Sequence, residues 1–276
     1  MKVSRRSCIA GSLGGLALII WGGTGPWTRF QQARLASQEY DPPPPGMVFV
    51  PAGPFLMGSD DPHAEPDERP LRKVFVPAFY IDRFEVTNRR YQALVPTHSF
   101  PQGEDDLPAT FVLKQEAEEF CRRAGRRLPT SPEWEKAARG VDGRVYPWGN
   151  EFRTNRANVS RRAGSSQTNA AGCKSPHAPS TGKLLGGSFP NGVSPYGCHD
   201  MAGNVWEWVH DVWVDPHWLG MKTSGADRGI LRGGAYSYSP LQARTSYQGF
   251  EALGATCHDV GFRCAMQAIA KTQRAR

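Results

Sequence analysis

The sequence predicts one mixed α/β domain in which much of the chain is irregular. Three observations carry this: strand-like alternation between Met47 and Val86, two helical periods between Gln115 and Arg139, and a stretch rich in Gly, Ser, Asn and Pro after Trp148 with no long helical period. The 276 residues suffice for one large domain. With 30 glycines, 23 prolines and 8 tryptophans, the composition suits a compact core wrapped in long turns.

Residues 1–40 read as a targeting segment. Lys2 and the pair Arg5-Arg6 precede a mildly apolar stretch from Cys8 to Trp21 that is diluted by Gly11, Gly14 and Gly15, the pattern of a twin-arginine export signal. At about 14 residues it is short for a membrane span, which needs about 20. No clean small-x-small cleavage site precedes Tyr40, which leaves retention as an amino-terminal anchor open. Five cysteines outside this leader agree with an oxidising, exported location.

Residues 41–46, DPPPPG, form a stiff linker, because successive prolines hold the backbone extended and remove amide donors. The domain is expected over 47–267, followed by a basic tail, 268–276. MVFVPAGPFLMGS (47–59) reads as two short strands joined by a turn at Pro51 and Gly53. VFVPAFYIDRFEV (74–86) is again strand-like. Thr87 to Leu94 can open a helix capped by Thr87 or Asn88. Ala117, Phe120, Cys121 and Ala124 recur at helical spacing and predict an amphipathic helix over 115–124, ended by Gly125. Thr130-Ser-Pro-Glu133 has the capping-box form, so a second helix runs to about Arg139 and stops at Gly140. The half after Trp148 is expected to be loops and short strands held by something other than a large core.

The formal charge of +7 invites a nucleic-acid reading, but its location argues against one. The leader and the last six residues hold eight of the basic residues, and 41–270 carries 25 basic against 25 acidic residues. A neutral folded part offers no basic face, so no nucleic-acid partner is expected.

Taken in order, MVFVPAGPFLMGS, FYIDRFEVTNRRY, EAEEFCRRAGRRLPTSPEWEKAARG, YPWGN, GCHDMAGNVWEWVHD, LRGGAYSY and VGFRCA resemble the formylglycine-generating-enzyme (sulfatase-modifying-factor) family over residues 47 to 266. The resemblance implies an α+β fold, C-type-lectin-like, with little regular secondary structure and often with bound calcium. It also implies a chemistry that this chain departs from. The best-known members oxidise a substrate cysteine with copper and oxygen, using two cysteines shortly after a GGS motif; soft thiolates suit cuprous ion and exchange with a substrate thiol. Here no cysteine lies between Gly233 and Thr256. Tyr238 stands near the first expected position, Ala243 near the second, and Ala235 replaces the usual serine. Copper and formylglycine generation are therefore not expected.

Other positions carry over. Cys121 and Cys264 fall where family members hold a disulfide between the first long helix and the carboxyl-terminal strand, a staple worth about 3–5 kcal/mol for so long a loop. Cys173, Cys198 and Cys257 remain, and three cannot pair completely within one chain. Asp200, Gly203, Val205 and Glu207 match one family calcium site, where hard oxygen ligands alternate between side chains and backbone carbonyls. The alternative is a buried polar turn in which Glu207 takes backbone amides. A second site would begin at Asn158 and Val159, but 163–187 offers no acidic residue to complete it.

The triplet Cys-His-Asp occurs twice, at 198–200 and 257–259, and could hold copper or zinc if the loops met. The plainer reading pairs or buries Cys198 and Cys257 and leaves the histidines outside. His210 and His217 read as packing or surface residues. Trp206, Trp208, Trp213, Tyr236 and Tyr238 could line the family's substrate groove, with Arg232 or Arg244 meeting an anionic group; the alternative is ordinary core aromatics.

The expected protein is an exported accessory or maturation factor without formylglycine-generating activity. It would bind a protein or peptide-like partner, with the nitrite-reductase accessory type preferred. The alternatives are a periplasmic enzyme modifying a peptide-derived small molecule such as a siderophore precursor, and a calcium-stabilised structural binding module. A membrane is a partner only if the leader is retained.

Overall fold

A computed structural model describes residues 26–160, 182–213 and 228–271. Residues 1–25 of the export segment, Cys173 and His217 lie outside the described residues, as do the last five residues of the basic tail. A helix, α1 (Pro26–Ala36), precedes the proline linker. The chain then enters β1 (Met47–Val50) and β2 (Gly53–Met57), the two strands expected on either side of Pro51. They do not pair with each other. β1 lies antiparallel to β4 (Phe79–Asp82), with Val48 opposite Ile81 and Val50 opposite Phe79, and β9 (Ala265–Gln267) covers the other edge of β4. β2 forms a hairpin-like pair with β3 (Arg72–Val76), Phe55 opposite Val74. Pro77 divides the single apolar run 74–86 into β3 and β4, since it has no N–H to donate to a ladder.

The helices follow their sequence signals. Thr87 caps α2 (Asn88–Gln92), its hydroxyl accepting from the Arg90 amide at 3.3 Å. α3 (Lys114–Arg123) buries Ala117, Phe120 and Cys121, and the chain turns at Gly125 with φ of +68°. In α4 (Ser131–Arg139) the capping box forms as read: the Thr130 amide donates to Glu133 at 2.8 Å and the Glu133 amide to the Thr130 hydroxyl at 3.4 Å. α4 is almost wholly buried, with Trp134, Ala137 and Ala138 packed against Phe55, Phe79 and Ile81 in one of the two main core clusters.

The second half corrects the expectation that something other than a core holds it. After α4 the described residues contain only one short 3₁₀ turn, Pro190–Gly192, but they supply a four-stranded mixed sheet. β5 (Trp206–Trp213) pairs antiparallel with β6 (Arg228–Arg232) and parallel with β8 (Val260–Phe262), and β7 (Gly249–Ala252) flanks β6. Trp206, Trp208, Leu231 and Phe262 from this sheet join Phe120 and Cys121 of α3 in the other main core cluster. Short strands escaped the helical-period search, yet they bury Trp206 and Trp208.

The linker is also anchored. Tyr40 bridges Ala270, the Asp41 amide donates to the Ile269 carbonyl at 3.0 Å, and the Tyr80 hydroxyl donates to the Asp41 carbonyl. No helix among the described residues is long and apolar enough to cross a membrane.

Candidate functional site

β6 ends at Arg232 and leads into Gly233-Gly234, both in the left-handed region. A Cβ on Gly234 would sit 3.0 Å from the Gln242 carbonyl, so only glycine lets the following loop fold back this closely. The loop is pinned by the Tyr236 amide donating to the Asn204 carbonyl at 3.0 Å, the Tyr238 amide to Ala235 at 2.9 Å, and the Ser160 amide to the Tyr238 carbonyl at 2.8 Å. These bonds set the Tyr238 ring edge-to-face on Trp206, centroids 5.2 Å apart and planes at 79°, with Tyr247 behind Trp206 at 6.0 Å. Tyr236 meets His258 edge-on at 5.9 Å.

The place where a thiolate pair would stand is therefore a phenol and a methyl group. Burial, with the Asp259 carboxylate next in effect, pushes the Tyr238 phenol up to about 12, so it is protonated and a poor nucleophile near neutrality. Ala243 is completely buried beside Ala157 and Ala202. Asp259 accepts from the Ser237 hydroxyl at 2.9 Å. The arrangement offers aromatic faces and hydroxyl groups for contact, and among the described residues it supplies neither a soft metal donor nor an activated nucleophile.

Arg232 and Arg244 do not face this loop as anion-binding groups. Arg232 is 0% exposed and spends its guanidinium on Glu135 and on the carbonyls of Thr245, Ser246 and Tyr247. Arg244, also buried, pairs with Glu68 and donates to the His63 carbonyl. A guanidinium removed from water stays charged only among such partners, and that need fixed both side chains inward. Trp208 is likewise a core residue, fully buried with its indole N–H on the Val112 carbonyl at 3.0 Å, and Trp213 packs on Phe250. Of the expected groove, Trp206 and Tyr238 come together, while Tyr236 packs on His258.

The four positions read as a calcium site lie on the turn that feeds β5. Gly203 (φ +88°) is flanked by Asp200 (φ +57°) and Asn204 (φ +67°), and a Cβ at Gly203 would lie 2.3 Å from the Asn158 carbonyl. Val205 and Glu207 follow into the core, both 0% exposed. Glu207 is held by Arg263 in a two-pronged pair, at 2.6 and 2.7 Å, and accepts from the Trp134 indole at 2.7 Å. Asp200 accepts from the Gly187 amide at 2.7 Å. Asn158 donates to the Gly182 carbonyl and to Asn204 Oδ1, its own carbonyl accepts from the Asn204 amide, and Val159 packs with Ala157 and Ala202. Among the described residues no three His, Cys, Asp or Glu side chains converge on one ion position. These donors fit a polar turn closed on itself, with a guanidinium at Glu207, better than a cradle of six to eight oxygens.

One acidic residue in this region escaped sequence reasoning. Glu85, between Arg83, whose carbonyl accepts from the His199 amide, and Val86, whose amide donates to Phe262, is 3% exposed. Its Oε1 accepts from the Asn204 side-chain amide at 2.9 Å, and its Oε2 has no hydrogen-bonding partner among the described residues. Burial first, then the Asp200 charge, holds the Glu85 carboxyl well above the usual carboxylate range. The only signal was a charge at a buried register of the FEV segment; its partner lies more than a hundred residues away.

Cys121 and Cys264 are brought together as expected, but as free thiols with sulfurs 3.1 Å apart, beyond the ~2.05 Å of a bond. The Cys198–Cys257 pairing does not form: Cys198 is a buried free thiol pushed up to about 11 by burial, and Cys257 is disulfide-bonded elsewhere. The two Cys-His-Asp triplets do not meet as a metal site among the described residues. His199 packs on Phe84 instead, with ring planes tilted by 31°, and His258 sits against Tyr236 and Phe111. His210 is exposed beside Glu118.

Fold and loop together define a formylglycine-generating-enzyme-like α+β domain whose oxidation site lacks its sulfurs. Residues 31–268 match the sulfatase-modifying factor enzyme 1-like domain, and the chain belongs to that family. It is 29% identical to the mouse inactive C-alpha-formylglycine-generating enzyme 2, over 81% of this chain and 86% of that protein. It is 28% identical to the bovine formylglycine-generating enzyme, over 83% and 77%. PvdO from Pseudomonas aeruginosa has the same fold, with a TM-score of 0.61 over 80% of this chain and 94% of that one at 24% identity.

Proposed function

We propose that this chain is an exported accessory or maturation protein that holds a protein or peptide-like partner against the half-buried Tyr236 and Tyr238, the latter packed on the buried Trp206, and does not generate formylglycine. The observation that carries the reading is Tyr238, a protonated phenol packed on Trp206 at the position where an oxidising thiolate would be needed. Tyrosine faces give large contact area at little entropic cost, which suits binding. Similarity to a relative named as inactive supports the loss of oxidation, and Arg5-Arg6 ahead of an apolar stretch supports export. The preferred partner is a copper nitrite reductase of the same cell.

The test is titration calorimetry of the purified chain with that reductase. Binding that weakens by about tenfold in Tyr236→Ala is the expected result; each such factor is about 1.4 kcal/mol, ordinary for an aromatic contact residue. Absence of binding to the reductase overturns the preferred partner. A modifying enzyme acting on a small peptide-derived substrate would need a base or metal beside Tyr238, and the phenol itself, at about 12, does not supply one.

A further inference from the structure

Cys257 is disulfide-bonded, and its partner is not among the other described cysteines, since Cys121, Cys198 and Cys264 are free thiols. The sequence holds six cysteines, which leaves Cys8 and Cys173. The described flanks of segment 161–181 separate the two. The Asn158 side-chain amide donates to the Gly182 carbonyl at 2.6 Å, so the segment that holds Cys173 leaves and re-enters the fold at one point. That point is the Tyr236–Tyr238 loop: the Ser160 amide donates to the Tyr238 carbonyl at 2.8 Å, and a Cβ on Gly182 would fall 2.2 Å from the Tyr236 ring. Tyr236 also meets His258, the neighbour of Cys257, edge-on at 5.9 Å. Cys173 stands nine residues before Gly182, a reach of up to about 30 Å. Cys8 instead belongs to the stretch read as an export signal, and the chain after it joins the fold at Tyr40, paired with Ala270 beside the β1–β4–β9 sheet.

We propose that Cys173 and Cys257 form an intrachain disulfide, a covalent staple separate from the facing thiols Cys121 and Cys264. It forms by exchange with a disulfide-bearing oxidant: one thiolate opens the oxidant's S–S bond to give a mixed disulfide, and the second thiolate displaces it. The cysteine pair gives up two electrons and two protons, and the oxidant departs as the dithiol. Cys198, completely buried and pushed up to about 11 by that burial, supplies almost no thiolate to compete. The bond closes a loop of more than eighty residues and so restricts the unfolded chain. It also fixes the turn 257–259, which supports the Tyr236–Tyr238 loop and its surroundings. The Phe111 amide donates to the Cys257 carbonyl at 2.9 Å, and Asp259 accepts from the Ser237 hydroxyl at 2.9 Å. This connectivity holds whether or not a partner binds the loop.

The experiment is peptide mapping by mass spectrometry of the full chain, purified under air without reductant, alkylated in denaturant and cut with trypsin. Segments 163–174 and 245–263 are expected as one linked species, about 2 Da lighter than the sum of the two thiol peptides and lost on reduction. In Cys173→Ser, Cys257 is expected to take up iodoacetamide in denaturant without reduction, whereas in Cys8→Ser it stays unlabelled. A link from Cys257 to Cys8, to a second copy of this chain or to a small thiol overturns the proposal. Labelling of Cys257 in the unreduced parent chain overturns it as well, and so does labelling in Cys8→Ser.

Discussion

Tyr238 lies edge-on against Trp206, ring centroids 5.2 Å apart, and this contact occupies the place from which the family's oxidation chemistry would be run. Its first consequence is spectroscopic. Burial holds Tyr91 and Tyr238 up to about 12 and Tyr236 above that, so the native protein should form less phenolate than the unfolded chain between pH 10 and 12. The folded state then binds more protons than the unfolded one in that window, and stability falls as pH rises through it. Absorbance near 295 nm across an alkaline titration, native against denaturant-unfolded, checks both statements; Tyr238→Phe should remove one late-titrating group.

Arg263 and Glu207 are both fully buried, so removing one partner strands a charge. Arg263→Met should destabilise the fold by about 3–5 kcal/mol in urea denaturation. The double variant Arg263→Met with Glu207→Leu should lose less than the sum of the two single changes, because no lone buried charge is left.

Thr130→Ala removes the hydroxyl that caps α4 and should cost about 1 kcal/mol. The loss is limited because Glu133 keeps its pair with Arg127 at 2.6 Å and its bond from the Thr130 amide. A correspondingly small drop in denaturation midpoint checks it.

Cys121 and Cys264 need little motion to join, with sulfurs 3.1 Å apart between α3 and the residue before β9. Mild oxidation of the purified protein should consume this pair of thiols, seen by alkylation and mass spectrometry, and raise stability by about 3–5 kcal/mol. Persistence of both free thiols after oxidation would count against the staple.

Local chemistry was legible in the sequence. The Thr130 cap and the Gly125 and Gly140 stops act within a few residues, and each stands where its signal put it, whereas the run 74–86, read as one strand-like stretch, is split at Pro77. The missing thiolates were equally plain. What failed to show were relations between distant segments. Arg232 and Arg244 read as surface cations because nothing nearby in sequence announces Glu135 or Glu68. Glu85 went unnoticed because its partner, Asn204, arrives from the turn before β5. The second half read as coreless because short strands carry too few residues to display a period, although their tryptophans fill the centre.

The central claim is tested most directly by incubating the purified chain with a CxPxR-bearing peptide, copper, oxygen and a thiol reductant, and reading the peptide by mass spectrometry. The account predicts that the peptide cysteine survives unchanged. Conversion of that cysteine to formylglycine would contradict it.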